Sequence, residues 1–228
     1  MHIVRVALNR VRRFNSVELA PRPGINLITG ANGAGKTSVL NAITGLVPHG
    51  GSIVFDGARL DGRSTSDIVR LGVIQVAQGR QLFPDMTVLE NLELGAFLQP
   101  AAEMRAGVER MFAQFPKLED RAGQRAGTLS GGEQQMLAVA RALMGKPRVL
   151  LIDEPCLGLS PKMVGVLGDV IRRINGDGIS VLVVEQNTAF VFALAHHAYV
   201  IENGKVVLDG EPAQLQRDDR VRSAYLGI

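Results

Sequence analysis

Residues 30–37 read Gly30-Ala31-Asn32-Gly33-Ala34-Gly35-Lys36-Thr37, which fits the pattern G-x-x-x-x-G-K-[ST]. A loop of this kind wraps nucleotide phosphates in backbone N–H groups. The mainly apolar residues 25–29 before it predict a short buried strand, and residues 38–43 after it predict a helix. A helix that starts behind glycines directs unpaired N–H donors and a positive dipole at an anion. The sequence therefore predicts a nucleoside-triphosphate site.

Two side chains of this loop have predicted roles of their own. Lys36 is expected to reach the β- and γ-phosphates, and the Thr37 hydroxyl to bind Mg²⁺. We take the phosphate-binding residues to run from Gly30 through Thr37 to Ser38, with ATP and Mg²⁺ as the bound species.

Two adjacent acids follow the continuously apolar residues 149–152, a pattern typical of a strand buried on both faces. In open α/β sheets, ligands bind at the carboxyl ends of the strands, so these acids should lie beside the phosphate loop. Asp153 is the predicted Mg²⁺ partner, directly or through water, and Glu154 is the predicted general base that polarises the attacking water.

A Ser-Gly-Gly sequence opens the helix predicted for residues 133–144, which Gly145 and Pro147 should end. Its residues are Leu129-Ser130-Gly131-Gly132-Glu133. Ser130 with Glu133 fits a capping box, and the helix start is also a possible anion site. The two roles are compatible.

The order of these three motifs resembles the ATP-binding subunits of ABC transporters. The resemblance implies that residues 129–133 cap the γ-phosphate held by an opposite subunit, so that two ATP molecules lie between two such domains. It also implies that Gln78 belongs to a loop that contacts Mg²⁺ and the attacking water. Gln186 stands where the family usually has a histidine. A glutamine amide can donate a hydrogen bond to a γ-phosphate but cannot carry a proton.

Further sequence features narrow the resemblance to the LivF type of ATPase, from branched-chain amino-acid importers. They are Val184-Glu185-Gln186-Asn187 and the stretches 125–138 and 221–227. This resemblance implies a second ATPase subunit, two transmembrane permease subunits and an extracytoplasmic substrate-binding protein. The ATPases of urea or amide importers, which share the glutamine, are the alternative within the same branch.

The first 29 residues resemble RecF-type and SMC-type ATPases instead, because the segment before the phosphate loop is short. Phe14 is its only aromatic residue, and its ring could stack on adenine or anchor a strand pair. The arginines of this segment leave a DNA-associated ATPase as an alternative function. Only residues 79–129 lie between Gln78 and Ser130, too few for a long coiled coil, and we expect no nucleic-acid partner.

The composition and patterning complete the predicted organisation. The 228 residues contain one cysteine, which fits a reducing cytosol, and no apolar run long enough to span a membrane. With these features, the transporter resemblance implies a peripheral protein at the cytoplasmic face of the membrane. We predict an α/β P-loop NTPase with a RecA-like, mainly parallel sheet, N-terminal antiparallel strands and a small helical subdomain. Residues 1–228 would form one ABC-type domain, with 1–77 and 129–228 as the core lobe and about 78–128 as the helical subdomain.

Smaller elements are predicted from local patterns. Helices are expected around residues 88–98 and 102–115, and a hairpin at Asn203-Gly204. His196 and His197 are expected to be surface or packing residues. A permease would dock on the helical subdomain and glutamine loop, through apolar residues for which we name Leu82, Phe83, Met86 and Val88. Core packing would explain each of these residues equally well.

Overall fold

Buried strands followed by helices make up the centre of the fold, as the alternating pattern predicts. The computed structural model describes residues 4–11, 14–31 and 33–218. The strands are β1 (Val4–Val11), β2 (Phe14–Leu19), β3 (Ile25–Thr29), β4 (Gly50–Phe55), β5 (Ala58–Arg59), β6 (Val73–Val76), β7 (Val149–Asp153), β8 (Ser180–Val184), β9 (His197–Glu202) and β10 (Lys205–Gly210). The helices are α1 (Lys36–Ile43), α2 (Thr65–Arg70), α3 (Val88–Gly95), α4 (Ala101–Gln114), α5 (Pro116–Glu119), α6 (Gly131–Met144), α7 (Pro161–Gly176), α8 (Thr188–Leu194) and α9 (Pro212–Leu215).

The central sheet has six strands in the order β10-β9-β3-β8-β7-β6. All neighbouring strands except β9 and β10 are parallel. Strands β3 and β7 are buried along their whole length, as strands covered by helices on both faces must be. The mainly parallel sheet that we predict is therefore confirmed.

A second sheet carries the N-terminal strands in the order β2-β1-β4-β5, and its paired strands are antiparallel. Its inward residues Val6, Leu8 and Ile53 pack with α1 and with one face of the central sheet. Apolar residues of α6 and α7 fill a separate core on the other face. The phosphate loop connects β3 of the central sheet to α1, and α1 packs against residues of both sheets.

The helices α3, α4 and α5 occupy residues 88–119, within the segment predicted to be helical. Helix α3 ends three residues earlier than predicted, and α4 starts and ends one residue earlier. The chain turns between the two helices, and Pro100 directly precedes α4. Val88 is 0% exposed, so core packing and not docking accounts for this residue. Its position at the start of α3 places its side chain in the core, whereas Phe83 is 50% exposed.

Two smaller predictions concern the end of the described chain. Strands β9 and β10 pair across Asn203-Gly204, with Lys205 opposite Glu202, which confirms the hairpin. The Nδ1 atom of His196 accepts a hydrogen bond from the N–H of Ile25 at 2.9 Å, so this histidine packs between segments as expected. No helix within the described part of the chain is both long and apolar enough to cross a bilayer.

Helix α3 packs directly on α6, and the two backbones come close at Gly95. A Cβ at Gly95 would lie 2.1 Å from the carbonyl oxygen of Arg141. Because that oxygen belongs to the backbone of α6, neither partner can move aside without shifting a helix.

We expect Gly95→Ala to lower the free energy of unfolding by about 1–3 kcal/mol, the usual cost of overpacking. Gly165→Ala is the matched control, since it lies within α7 and its Cβ would meet nothing within 4 Å. That change should stabilise the protein by roughly 0.5–1 kcal/mol, because alanine favours a helix. Urea unfolding of both variants measures the difference, and equal stabilities would contradict the close contact.

Candidate nucleotide site

The carboxyl ends of four neighbouring strands meet at one edge of the central sheet. In sheet order, β3 leads to the phosphate loop, β8 to Gln186, β7 to Asp153 and Glu154, and β6 to Gln78. Parallel strands end at the same edge, so residues far apart in sequence become neighbours there. The structure thus brings together the catalytic and metal-binding residues that the sequence predicts at strand ends.

The phosphate loop keeps the strand-turn-helix form that was predicted for it, with α1 starting at Lys36. Because Gly35 precedes α1 and has no side chain, no cap occupies the first N–H groups of the helix, which remain available to an anion. Gly30 is required by a close approach, since a Cβ there would lie 2.1 Å from the carbonyl oxygen of Ile201. Asn32, which belongs to the predicted phosphate-binding set, lies outside the described residues.

Lys36 is 4% exposed, and its ammonium group lies within the loop that it is expected to serve. Its Nζ atom donates to the carbonyl oxygens of Gly30 at 2.7 Å and Ala31 at 3.0 Å. Burial lowers the pKa of Lys36, while the nearby carboxylates of Glu154 and Asp153 oppose that shift. The loop carbonyls therefore hold the cation at the centre of the cradle.

Thr37 and Asp153 form the candidate Mg²⁺ site. The Thr37 hydroxyl donates to Oδ1 of Asp153 at 3.1 Å, while Oδ2 of Asp153 is buried and has no hydrogen-bond partner in the described structure. A buried carboxylate oxygen without a partner is costly, and a hard cation would satisfy it. Among the residues that the structure describes, no group of three or more His, Cys, Asp or Glu side chains could hold a metal. A few oxygen ligands completed by phosphates fit Mg²⁺.

Glu154 lies between the two glutamines predicted to act with it. The Nε2 atom of Gln78 donates to Oε2 of Glu154 at 2.7 Å, and the Nε2 atom of Gln186 donates to Oε1 at 2.6 Å. The backbone of Glu154 is left-handed, with φ of 45°, and its N–H donates to the carbonyl oxygen of Val184 at 2.8 Å. That bond to β8 holds a conformation that a non-glycine residue rarely adopts.

The Ser-Gly-Gly sequence begins α6, and its capping box is confirmed. The Ser130 hydroxyl accepts from the N–H of Glu133 at 3.4 Å, and Oε2 of Glu133 accepts from the N–H of Ser130 at 2.9 Å. Gly131 and Gly132 form the first turn of the helix, and Leu129 is buried ahead of it. Ser130 itself is exposed, so this helix start faces solvent in a single chain.

Sequence reasoning missed two arginines that tie the glutamine loop to α6. The Arg80 guanidinium donates to Oε1 of Gln134 at 2.9 Å. The Arg141 guanidinium donates to the carbonyl oxygens of Arg80 at 3.2 Å and Gln81 at 2.7 Å. Burial lowers the pKa of Arg141. A basic residue directly after Gln78-Gly79 is the only sequence signal for this contact.

Sequence reasoning also assigned no role to Glu185, which is buried and accepts hydrogen bonds from the backbone N–H groups of Cys156 and Gln186. Phe14, the predicted adenine contact, begins β2, but the placement of its side chain lies outside what the structure describes. Arg12 and Arg13 likewise fall outside the described residues.

Comparison with known proteins gives consistent findings. The model of the family described as "ABC transporter" matches residues 15–157. The chain is 43% identical to the high-affinity branched-chain amino acid transport ATP-binding protein BraG of Pseudomonas aeruginosa, over 96% of this chain and 94% of that protein. It is 33% identical to the probable branched-chain amino acid transport ATP-binding protein LivF of Archaeoglobus fulgidus, over 90% and 87% of the two chains.

Solved structures extend this likeness to the N-terminal strands. An ATP-binding cassette of an ABC transporter, in its ADP conformation, superposes with a TM-score of 0.86 at 26% identity. The superposition covers 100% of both chains, so β1 and β2 also fit the transporter-type cassette.

The protonation of Asp153 gives a test of the site without nucleotide. Burial raises the pKa of Asp153 to about 6, against 3.8 for the unfolded chain. Between these values the folded state binds more protons, so this group makes stability fall as the pH rises. Asp153→Asn removes the effect. The free energy of unfolding of the variant, relative to that of wild type, should therefore rise by up to about 3 kcal/mol between pH 3.8 and pH 6, since one pKa unit is about 1.4 kcal/mol.

Urea unfolding in EDTA at several pH values measures this gain. Asp169→Asn is the control, because its carboxylate is 75% exposed and its stability should track that of wild type across the pH range. If the free energies of unfolding of Asp153→Asn and wild type differed by the same amount at every pH, burial would not disfavour the charged form of the Asp153 carboxylate.

Proposed function

Because the chain belongs to the ABC transporter family of ATP-binding subunits, we propose that it powers an importer for branched-chain amino acids. The chain is an ATPase of this family. The contact of Glu154 with both Gln78 and Gln186, beside the phosphate loop, is the observation that carries the hydrolytic part of the proposal. The names of the relatives carry the substrate class.

Glu154 acts as the general base in this proposal. The attacking water loses a proton to the Glu154 carboxylate while its oxygen bonds to the γ-phosphorus, and the bond to the ADP oxygen breaks. Gln78 and Gln186 hold that carboxylate in place, and each amide can turn to donate to the water or the γ-phosphate. Neither glutamine carries a proton in the reaction, so Glu154 is the only base that the proposal needs.

The phosphate loop provides the electrostatic part of catalysis. Lys36 and the N–H groups of residues 30–38 offset the charge that develops on the β- and γ-phosphates. Thr37, Asp153 and Gln78 would hold Mg²⁺, which supplies positive charge to the phosphate oxygens when bound. The unpartnered Oδ2 of Asp153 supports that assignment.

The exposed start of α6 supports dimerisation with a second ATPase subunit. Ser130 and Gly131 lie at a solvent-facing helix start, where the N-terminal dipole favours an anion. In the proposal, residues 129–133 close on the γ-phosphate of ATP held by the partner, and reopening follows hydrolysis. Residues 1–77 and 129–228 serve as the core lobe of one domain, and about 78–128 as its helical subdomain.

An exposed apolar patch on and after α3 supports docking of permease subunits. Phe97 is 80% exposed, and the patch also contains Leu94 and Leu98. Of the residues predicted for docking, Phe83 remains available at the surface, while Leu82 packs partly against the core. A transporter of this kind would include two permeases and an extracytoplasmic binding protein, and would place this chain at the cytoplasmic face of the membrane.

Two alternatives predict different partners. An importer for urea or amides would use the same ATPase chemistry, because substrate choice resides in the binding protein and permeases. A DNA-associated ATPase of the RecF or SMC class would bind nucleic acid instead. The cassette likeness over the whole chain favours the transporter.

We expect Glu154→Gln to keep ATP affinity while slowing ATP hydrolysis roughly 10²- to 10⁴-fold, the usual contribution of a general base. The amide keeps the shape of the side chain but cannot accept the proton. Asp177→Asn is the control, since Asp177 is an exposed acid after α7, and it should leave turnover unchanged. Phosphate release measures the rate of hydrolysis, and calorimetric titration measures the affinity for ATP. Turnover at the wild-type rate in Glu154→Gln would remove this residue as the base.

We expect the Glu154→Gln chain, with Mg-ATP, to retain permease subunits and a second ATPase when purified from native membranes. Adding Phe97→Ser should reduce permease recovery severalfold without changing ATP affinity, because it removes the most exposed side chain of the patch. Adding Val207→Ser, which alters a residue 41% exposed on β10, is the matched control. Mass spectrometry reads the result. Recovery of DNA or recombination proteins instead would favour the nucleic-acid alternative.

A further inference from the structure

Glu185 is a buried carboxylate that the proposed chemistry does not use. It follows β8 directly and is 5% exposed, while its neighbour Gln186 is exposed. A charged side chain at this depth is costly unless hydrogen bonds replace the lost water. Its partners therefore indicate why the charge is there.

Both oxygens of Glu185 accept hydrogen bonds from the backbone. Oε1 accepts from the N–H of Gln186 at 2.7 Å and from the N–H of Asn187 at 3.1 Å. Oε2 accepts from the N–H of Cys156 at 3.0 Å. These donors belong to two different loops, one after β8 and one after β7. The carboxylate thus joins the two loops at their backbones.

Those two loops carry the residues that must meet for hydrolysis. Glu154 lies two residues before Cys156, and Gln186 follows Glu185 directly. The Gln186 amide donates to Oε1 of Glu154 at 2.6 Å. Glu185 therefore fixes, through main-chain atoms, the separation of a base and the amide that orients it.

We propose that Glu185 is a positioning residue for ATP hydrolysis, which holds the Gln186 loop against the Glu154 loop through its bonds to Cys156, Gln186 and Asn187. The proposal rests on the function proposed above. Glu185 accepts no proton in the reaction, since both of its oxygens are already held by backbone N–H donors. Its effect on turnover passes through Gln186 and Glu154.

The geometry demands a carboxylate of this length. In Glu185→Gln, one end of the side chain becomes an NH₂ group, which would face a backbone N–H and lose a hydrogen bond. In Glu185→Asp, the charge remains but the side chain is shorter by one methylene and cannot reach both loops. Both variants should loosen the same link for different physical reasons.

Steady-state ATP hydrolysis provides the first test. We expect Glu185→Gln and Glu185→Asp to lower kcat about 10- to 100-fold, the scale of a small misplacement of catalytic groups, with KM for ATP within about twofold of wild type. We expect the loss to vanish when Gln186 is already alanine, because the link would then have nothing to position. If the Glu185 variants instead caused a structural defect elsewhere, the factor by which they lower kcat would multiply with the factor caused by Gln186→Ala.

The sole cysteine provides a second test that needs no catalysis. Cys156 is half-buried, and its backbone N–H is one of the groups that Glu185 holds. Burial and the Glu185 carboxylate raise the pKa of the Cys156 thiol. Glu185→Asp is therefore the variant to label, because it keeps the carboxylate charge. Loss of the link there should loosen the loop around the half-buried thiol and speed maleimide labelling of Cys156 about fivefold or more at fixed pH.

Asp61→Asn is the matched control. Asp61 also accepts a backbone N–H, from Ile53 at 2.8 Å, but it lies by the antiparallel sheet, away from the nucleotide site. This variant should label and hydrolyse ATP like wild type.

The outcomes separate the two proposals. Unchanged kcat in both Glu185 variants would overturn the positioning role, as would unchanged labelling or a loss that multiplies with Gln186→Ala. Wild-type turnover in Glu154→Gln would instead overturn the proposed chemistry, while labelling would still report on the loop contact. Should Glu185→Gln fail to fold, which circular dichroism would detect, Glu185→Asp carries the same test.

Discussion

The shared edge of the parallel strands is the constraint on which the rest of the molecule depends. Strands β3, β8, β7 and β6 lie side by side and point the same way, so the segments that follow them must meet. Their apolar side chains bury the sheet on both faces and leave the polar chemistry to the loops. The site is thus assembled by the core, and each strand delivers one part of it: Gly30, Gln78, Glu154 and Gln186.

The sequence predicted the parts of this site that are local. Four glycine, lysine and threonine positions define the phosphate loop, and an acid pair after an apolar strand defines Asp153 and Glu154, because each pattern lies within about ten residues. The hairpin at Asn203 and the cap at Ser130 follow from equally short patterns. The end of α3 was predicted three residues too late. The helix ends at Gly95, which lies against the backbone of α6, and no local pattern indicates that contact.

The contacts that connect these parts could not be predicted in the same way. Arg80 bonds to Gln134, and Glu185 to the N–H of Cys156, across long stretches of sequence. Periodicity indicates which face of a strand is buried, but Glu185 lies just beyond β8, where alternation no longer applies. The role of Val88 stayed open for a related reason, because the same apolar residue type suits a docking surface and a core, and only its burial decides for the core.

The hydrogen bonds from Gln78 and Gln186 to Glu154 restrict how water can reach this carboxylate in a single chain. Each carboxylate oxygen already accepts a short hydrogen bond, at 2.7 Å from Gln78 and 2.6 Å from Gln186. Each oxygen keeps a second lone pair to which a water molecule can donate. On the proposed chemistry, the two amides therefore leave only those lone pairs to the attacking water, so the direction from which water can approach the base is already set in a single chain.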